Sequence, residues 1–464
     1  MLLISRRGFG IITDMEENVQ REYFELLKFE TVGADPAKLR DCADCAMWLR
    51  KWLERAGFSG ELLMPPVKDG KASPPVLYAR REGTEGAPTV LVYGHYDVQP
   101  ADPLEEWKTP PFEPTVVDGR VYCRGAQDDK GQFFAFLCGI RDFLSAASGT
   151  IPTIKVVLEG QEESGSSALM EMAPEMRRKL AADVLLVCDT AAASGLRPAI
   201  VAGLRGMSHF TIRLNCASRD LHSGEYGGIA PNAAQAMAEL VASLHNPDGS
   251  IAVFGFRDGI EAPSHEEQRR AEAFSPTEEE VASDIGCDPV GGQLGKTLAQ
   301  RTSFEPTIEV NGIHSGYGGP GSKTVIPCEA IAKISMRLVP GQLPRSAYES
   351  VRRHLDERCP RGAKLTFEDY CPGACGFRLP LESPIFRLAS HVLEQMDERG
   401  PAFQWDGASI PVVSVLRDAS GAAPLLVGWG QAEDRIHSPN ESYSFVQFDK
   451  AREWGRRIME GVAL

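Results

Sequence analysis

Three short runs, Thr89-Val90-Leu91-Val92-Tyr93, Ile154-Lys155-Val156-Val157-Leu158 and Val184-Leu185-Leu186-Val187, are apolar with almost no alternation. A strand can carry such a run only when both of its faces are covered, which is the condition of a strand inside an α/β sheet. The segments around them are helical in pattern. Glu17 to Phe29 and Leu39 to Ala56 place apolar residues at helical spacing, the second stopping at Gly57 where a glycine just past a helix belongs, and Gly131 to Leu144 reads as a packed helix between two strands.

After Gly206 the texture changes. Phe210 to Leu214 and Ala332 to Leu338 alternate, while Asn232 to Leu244 and Ala347 to Leu355 read as helices, which together predict a smaller α+β unit with a half-solvated sheet. Glu261 to Gly295 is acidic and polar with a few apolar anchors and reads as helical surface elaboration. Arg387 to Glu394 then begins a helix, Pro424 to Val427 a short strand with its proline at the first position, and Phe448 to Leu464 a closing helix. The expected organisation is an α/β domain built on a central sheet over 15–205, an inserted α+β unit over 206–385, and the first domain resuming over 386–464. A chain of 464 residues exceeds what one core of roughly 250 to 300 residues supports, so two domains are expected on size alone.

Charge and cysteine content narrow the function classes. Lys and Arg number 49 against 64 Asp and Glu, a net charge of −15, which argues against a nucleic-acid partner and against an anionic membrane surface. The 11 cysteines are an odd number scattered from Cys42 to Cys375, which points to a reducing, cytoplasmic setting. Cys42 and Cys45 form a C-x-x-C inside a helical pattern with no second pair at zinc-finger spacing, so they read as buried small side chains. Ser5-Arg6-Arg7-Gly8-Phe9 matches the start of a twin-arginine export signal, but the apolar run behind it is only Gly10-Ile11-Ile12, and Met15 reads as well as a natural start. No run approaches the ~18 apolar residues of a membrane span.

The chemistry-bearing residues gather where strand-like runs end. His95-Tyr96-Asp97 follows the first run, Glu162-Glu163 the second and Asp189 the third; Asp128-Asp129 opens the helix near Gly131, and His437 follows the last strand. In an open α/β sheet, sites form outside the carboxyl ends of the strands, so side chains distant in sequence can converge there. Singly, each reads as well as a helix cap, a surface charge or a satisfied polar group. Together, two histidines and several carboxylates form the mixed nitrogen and oxygen donor set that suits Zn²⁺ or Mn²⁺, and a carboxylate shared by two ions is the core of a two-metal hydrolase.

The segments Gly94-His95-Tyr96-Asp97-Val98-Gln99-Pro100, Arg124 to Gly131, Glu159-Gly160-Gln161-Glu162-Glu163-Ser164-Gly165-Ser166 and Asp220-Leu221-His222-Ser223-Gly224 resemble the M20 metallopeptidases, most closely the dipeptidase branch with its carnosine-type cytosolic members. Lys323 to Pro327, Met336 to Pro340, Gly407 to Pro411 and His437-Ser438-Pro439-Asn440-Glu441 extend the likeness in order along the chain. The resemblance implies two divalent ions per subunit, Zn²⁺ or Mn²⁺, with His95 and Asp189 on one, Glu163 and His437 on the other and Asp128 bridging both. It implies Glu162 as the general base that takes a proton from the bridging water and delivers it to the leaving amine, and Asp97 as the residue that orients a metal-bound histidine.

The second domain, by the same resemblance, is a lid that also dimerises, closing over substrate to exclude water. His222 would enter the neighbouring subunit's active site in a homodimer and stabilise the oxyanion there, and Thr324, Arg337 and Ser409 would contact substrate, Arg337 by pairing with the substrate's carboxylate. Asp189 stands where aminopeptidase and dipeptidase relatives tend to have Asp and carboxypeptidase-like ones Glu, which favours free-amine dipeptides. Trp405-Asp406 stands where close dipeptidase relatives read Arg-Glu, exchanging a cation for a large apolar face. The alternatives are an N-acyl amino acid amidohydrolase or carboxypeptidase with the same metals, or a non-catalytic metal-dependent peptide-binding protein.

Overall fold

The computed structural model describes residues 15–68, 70, 72–407 and 409–464. The Ser5 to Phe9 motif lies outside them. The described residues divide into two compact units, one formed by residues 15–201, 379–402 and 415–464, the other by 202–378 and 403–414.

The sheet of the first unit is mixed. Its strand order runs Ser59–Leu63, Val76–Arg81, Thr153–Glu159, Thr89–His95, Val184–Val187, Ala423–Leu426, and then the start of Ala199–Leu204. Thr89–His95 pairs in parallel with Thr153–Glu159 on one side and with Val184–Val187 on the other, and its apolar run is buried from Val90 onward. This is what an unalternating run requires, since both faces are packed. The strand containing Pro424 begins one residue earlier than expected, at Ala423, so the proline is second rather than first. On the flank toward Ala199–Leu204, pairing is confined to Leu426 with Val201, so a residue lacking an N–H at 424 costs no ladder bond on that side.

Helices cover the sheet where the pattern placed them, with ends shifted by a few residues: Glu17–Leu27, Leu39–Arg55, Lys130–Ala146, Pro384–Met396 and Phe445–Val462. Gly57, past the second of these, has φ +88°, the left-handed conformation that only glycine adopts without penalty. Cys42 and Cys45 are fully buried on that helix, and burial pushes each thiol up to about 12, far from the thiolate that redox or metal chemistry needs. Lys130–Ala146 is buried nearly all round, with Phe133, Phe134, Phe136, Leu137, Ile140 and Phe143 in the core, each contributing roughly 1.5 to 3 kcal/mol.

The second unit contains an antiparallel sheet ordered Thr307–Ser315, Glu329–Leu338, Gly206–Asn215, Lys364–Ala374. Glu329–Leu338 alternates between buried and partly exposed residues, and the buried face packs with Ala233–Ala242 and Pro344–Arg358 around Phe210, Ile212, Met237, Ile334, Tyr348 and Leu355. The acidic stretch after 261 holds two short helices, His265–Phe274 and Glu278–Ile285. Each opens with a reciprocal capping box, Ser264 with Glu267 and Thr277 with Glu280, and this satisfies backbone donors without tertiary help. Among the described residues, no helix is long and apolar enough to cross a membrane.

Lys130–Ala146 and Phe445–Val462 approach so closely that a Cβ on Gly139 would lie 2.0 Å from the Arg452 carbonyl oxygen, and one on Gly455 would lie 2.4 Å from that of Phe136. Glycine to alanine within a helix normally gains about 1 kcal/mol. Here the added methyl meets backbone, so Gly139→Ala is expected to destabilise the protein by about 1 to 3 kcal/mol, the usual cost of overpacking, in chemical denaturation. A gain in stability would show that the helices can separate freely.

Candidate metal centre

His95 is the last residue of Thr89–His95, and its register partner on the parallel neighbour is Glu159. Glu162 and Glu163 come just past that neighbour's end, and Asp189 just past the end of Val184–Val187 on the other side. Parallel pairing therefore brings all of these groups to one edge of the sheet. Asp128 arrives from the turn before Lys130–Ala146, and His437 from the loop after Ala423–Leu426, where its own φ is +58°.

His95 Nε2 lies 3.2 Å from Asp128 Oδ1 and 3.6 Å from Asp189 Oδ2. His437 Nε2 lies 2.9 Å from Asp128 Oδ2 and 3.2 Å from Glu163 Oε2. One donor group, His95, Asp128 and Asp189, and a second, Asp128, Glu163 and His437, each have ligand atoms within 4.8 Å of one another. Asp128 belongs to both. Glu162 belongs to neither, although it is adjacent to Glu163 on the same one-turn helix, Glu162–Ser164.

The supporting contacts are specific. Asp97, fully buried, accepts the backbone N–H of Glu162 at 3.1 Å and of Glu163 at 3.2 Å, and its Oδ1 lies 3.4 Å from His95 Nδ1. That leaves His95 Nε2 facing the carboxylates, the arrangement in which a carboxylate fixes ring orientation behind a metal-facing nitrogen. Gln99, to which sequence reasoning gave no role, donates from Nε2 to Glu163 Oε2 at 2.7 Å. Asp129, also missed, accepts the His95 N–H at 3.2 Å; a side chain on Gly94 would strike Phe133 and come 3.0 Å from the same Asp129 oxygen. Both residues sit inside the quoted motifs, so their position was legible but their partners were not.

The electrostatics describe a cluster short of positive charge. Burial first, then the neighbouring Asp128 and Glu163, pushes Asp189 up to about 7 against the pull of His95. Burial likewise raises Glu162 to about 8, His95 opposing and Asp189, Glu163 and Asp128 adding to the rise. Hydrogen bonds to Asp128 and Glu163 raise His437 to about 10. At Asp128 burial pushes the other way, but His437 and His95 outweigh it and hold the carboxyl well below its ordinary range. Imidazole and carboxylate donors that crowd together at such electrostatic cost fit divalent ions, whose charge would relieve it.

The remaining residues of interest lie in the second unit. His222 is exposed, pairs in register with Val325, and its Nδ1 accepts the Gly224 N–H at 3.0 Å; the Ser223 N–H reaches the Thr324 carbonyl at 3.1 Å, so His222 and Thr324 are neighbours. Arg337 Nη1 donates to Ser409 Oγ at 2.9 Å, and Ser409 donates in turn to the Arg205 carbonyl at 2.5 Å. Trp405 is 6% exposed, with its ring centroid 5.6 Å from that of Phe304, so its apolar face is taken up in packing.

Fold and donor set are those of a metallopeptidase. The chain belongs to Peptidase family M20/M25/M40, whose family-wide sequence model matches residues 91–461. It is 28% identical to the Beta-Ala-His dipeptidase of Rattus norvegicus over 395 residues, covering 83% of this chain and 80% of the relative. To the Cys-Gly metallodipeptidase dug1 of Schizosaccharomyces pombe it is 29% identical over 384 residues, 81% of this chain and 80% of that one. The crystal structure of Sso-CP2, an M20 family metallo-carboxypeptidase from Sulfolobus solfataricus, superposes with a TM-score of 0.82 at 26% identity, covering 97% of this chain and 100% of that one.

Glu162, Asp189, His95 and His437 are all held more protonated in the folded chain than their ordinary values allow. Each therefore stabilises the fold below its unfolded pKa and gives that stability up as pH rises through its folded value. Asp128, shifted down, keeps its contribution throughout this range. Chelator-stripped protein is accordingly expected to lose melting temperature steadily from about pH 5 to pH 9, and Zn²⁺ to flatten the profile. A flat or rising profile in the stripped protein would show that the carboxylates are not in tension.

Proposed function

We propose that the chain is a two-metal dipeptidase. The observation that carries this reading is the pair of donor groups sharing Asp128, with Glu162 half-buried beside them and outside both. His95 and Asp189 would hold one divalent ion, Glu163 and His437 the other, with Asp128 bridging; Zn²⁺ and Mn²⁺ both suit these donors. Bound there, such ions lower the pKa of water and polarise a scissile carbonyl.

The chain's own residues supply the rest. Glu162 removes the proton of the attacking water and returns it to the leaving amine, a task suited to a carboxylate that stands beside the ligands without being one of them. Asp97 orients His95 and, through the two backbone N–H groups it binds, the adjacent glutamates. In the second unit, proposed as the lid and dimerisation domain, Arg337 pairs with a substrate carboxylate while Ser409 braces its guanidinium and Thr324 contacts the backbone of the peptide. His222 serves the neighbouring subunit of a homodimer, where it stabilises the developing oxyanion, and its exposure in the isolated chain accords with that role. All eleven cysteines are free, as suits a cytoplasmic enzyme.

Similarity to Beta-Ala-His and Cys-Gly dipeptidases supports free-amine dipeptides as the substrates. The likeness to the Sulfolobus carboxypeptidase supports a second reading, in which the same centre removes C-terminal residues from longer or N-blocked peptides. A panel of dipeptides, each paired with its N-acetylated form, separates the two when chelator-stripped protein is refilled with Zn²⁺ or Mn²⁺. Cleavage of only the free-amine members is expected; cleavage of only the blocked ones selects the carboxypeptidase or amidohydrolase, and silence on both leaves a peptide-binding protein or an enzyme for an unusual amide. Glu162→Gln is expected to keep both ions and lose about 10² to 10⁴ in kcat, and near-normal turnover would remove Glu162 from the base role.

A further inference from the structure

Glu441 lies four residues beyond His437, is fully buried and belongs to neither donor group. Its Oε2 accepts from Arg124 Nη1 at 2.9 Å and from the Gly125 N–H at 2.9 Å. Its Oε1 accepts the Gln127 N–H at 2.9 Å and the Asp128 N–H at 3.1 Å. The backbone adds one more link, from the Cys123 N–H to the Glu441 carbonyl at 3.1 Å. A single carboxylate thus gathers the whole turn that delivers Asp128, which lies more than 300 residues away in sequence.

Arg124 completes the arrangement. It is 1% exposed, its Nη2 donates to the Pro100 carbonyl at 3.0 Å, and its guanidinium lies 5.4 Å from the centre of the Trp107 ring. Pro100 stands just beyond the His95-Tyr96-Asp97 segment, so the pair ties three segments together, those bearing His95, Asp128 and His437. The last of these is strained. Arg435, His437 and Asn440 have φ of +57°, +58° and +65°, conformations that non-glycine residues keep only when their surroundings over-determine them. Asn440 is clamped by the Lys108 N–H at 2.8 Å and by its own donation to the Glu106 carbonyl at 2.9 Å, and Glu441 clamps the other side.

For stability alone, a fully buried ion pair is a poor choice, since apolar residues of similar volume generally serve as well. Apolar residues could not, however, accept three converging N–H groups. We propose that Glu441, held by Arg124, is a positioning residue of the metal centre, locking the turn of Asp128 to the loop of His437 at the spacing both donor groups need. The inference rests on the reading of those groups as metal ligands. Because Asp128 belongs to both groups, loosening the lock weakens both ions together, whereas a change at Gln99, which touches Glu163, acts on one.

The test is a chelator-competition titration with Zn²⁺, run with thermal melts on the wild type, Glu441→Gln, Arg124→Lys and a destabilised comparator, Asp142→Asn. The comparator exchanges one of the two carboxylate oxygens that accept from Arg452 for an amide nitrogen and removes the charge of that pair, and Asp142 is in neither donor group. The wild type is expected to take two ions. Glu441→Gln keeps one carbonyl acceptor but turns an amide toward two donors, and both dissociation constants should rise about 10- to 100-fold. Arg124→Lys should give a smaller rise in both, and Asp142→Asn a lower melting temperature with unchanged constants. Wild-type affinity in folded Glu441→Gln overturns the proposal whatever its melting temperature, and if that variant does not fold, wild-type affinity in Arg124→Lys does so. A wild type that takes no ion removes the metal reading itself, a failure visible before any variant is compared.

Discussion

Thr89–His95 runs parallel to both of its neighbours, and that one constraint decides which side chains can meet. Parallel strands end at the same edge, so three segments separated by dozens of residues open their loops within reach of one another. The result concentrates Asp128, Glu163 and Asp189 around two imidazoles in a partly buried space. Such crowding is unfavourable for a folded chain left to itself, as the upward shifts of Asp189 and Glu162 record. Folding energy has to come from elsewhere, and it comes from the unalternating apolar strands and from the aromatic-rich helix Lys130–Ala146 packed on them. The same elements that carry the site therefore also offset its cost.

Much of this was legible in the sequence because the signals were local. Val90 to Tyr93 and Val184 to Val187 announce doubly covered strands by their lack of alternation, and the alternating Ala332 to Leu338 announces a sheet with one wet face. Strand ends then nominated His95, Glu162, Glu163 and Asp189 as neighbours before any geometry was known. What stayed hidden was whatever depends on pairing between distant segments. Nothing local marks Glu441 as the acceptor for the N–H groups of Gly125, Gln127 and Asp128, or Gln99 as a donor to Glu163. Helix ends and the first residue of the Ala423–Leu426 strand moved by a residue or a few because caps and partner strands, not apolar periodicity, set them.

At Trp405 the sequence shows a change of chemistry, and the packing shows where that chemistry is used. As a sequence change it exchanges a cation for a large apolar surface next to a segment expected to meet substrate. In the structure that surface is buried against Phe304, and the Trp405 carbonyl accepts the Ser303 hydroxyl at 2.7 Å. A buried aromatic fixes the course of the chain around it. In the proposed reading its influence on Ser409 is therefore one of support, exerted together with Arg205, whose Nε holds the Gly407 carbonyl at 3.0 Å.

The division of labour between Glu162 and Glu163 follows from how their backbone is held. Both N–H groups are fixed by the two oxygens of Asp97, and successive residues of a one-turn helix of this tightness point roughly 120° apart. One side chain therefore faces Asp128 and His437 while its neighbour cannot, which is why only Glu163 shares a donor group with them. In the proposed mechanism this separation is what a base requires. A carboxylate bound to an ion is held in its charged form and has little affinity left for a proton, whereas one that is buried beside the ions without binding them keeps that affinity. Adjacent residues of identical chemistry can thus serve as ligand and base, and the difference between them is set by a third carboxylate, Asp97, bound to backbone N–H groups and close to His95 Nδ1.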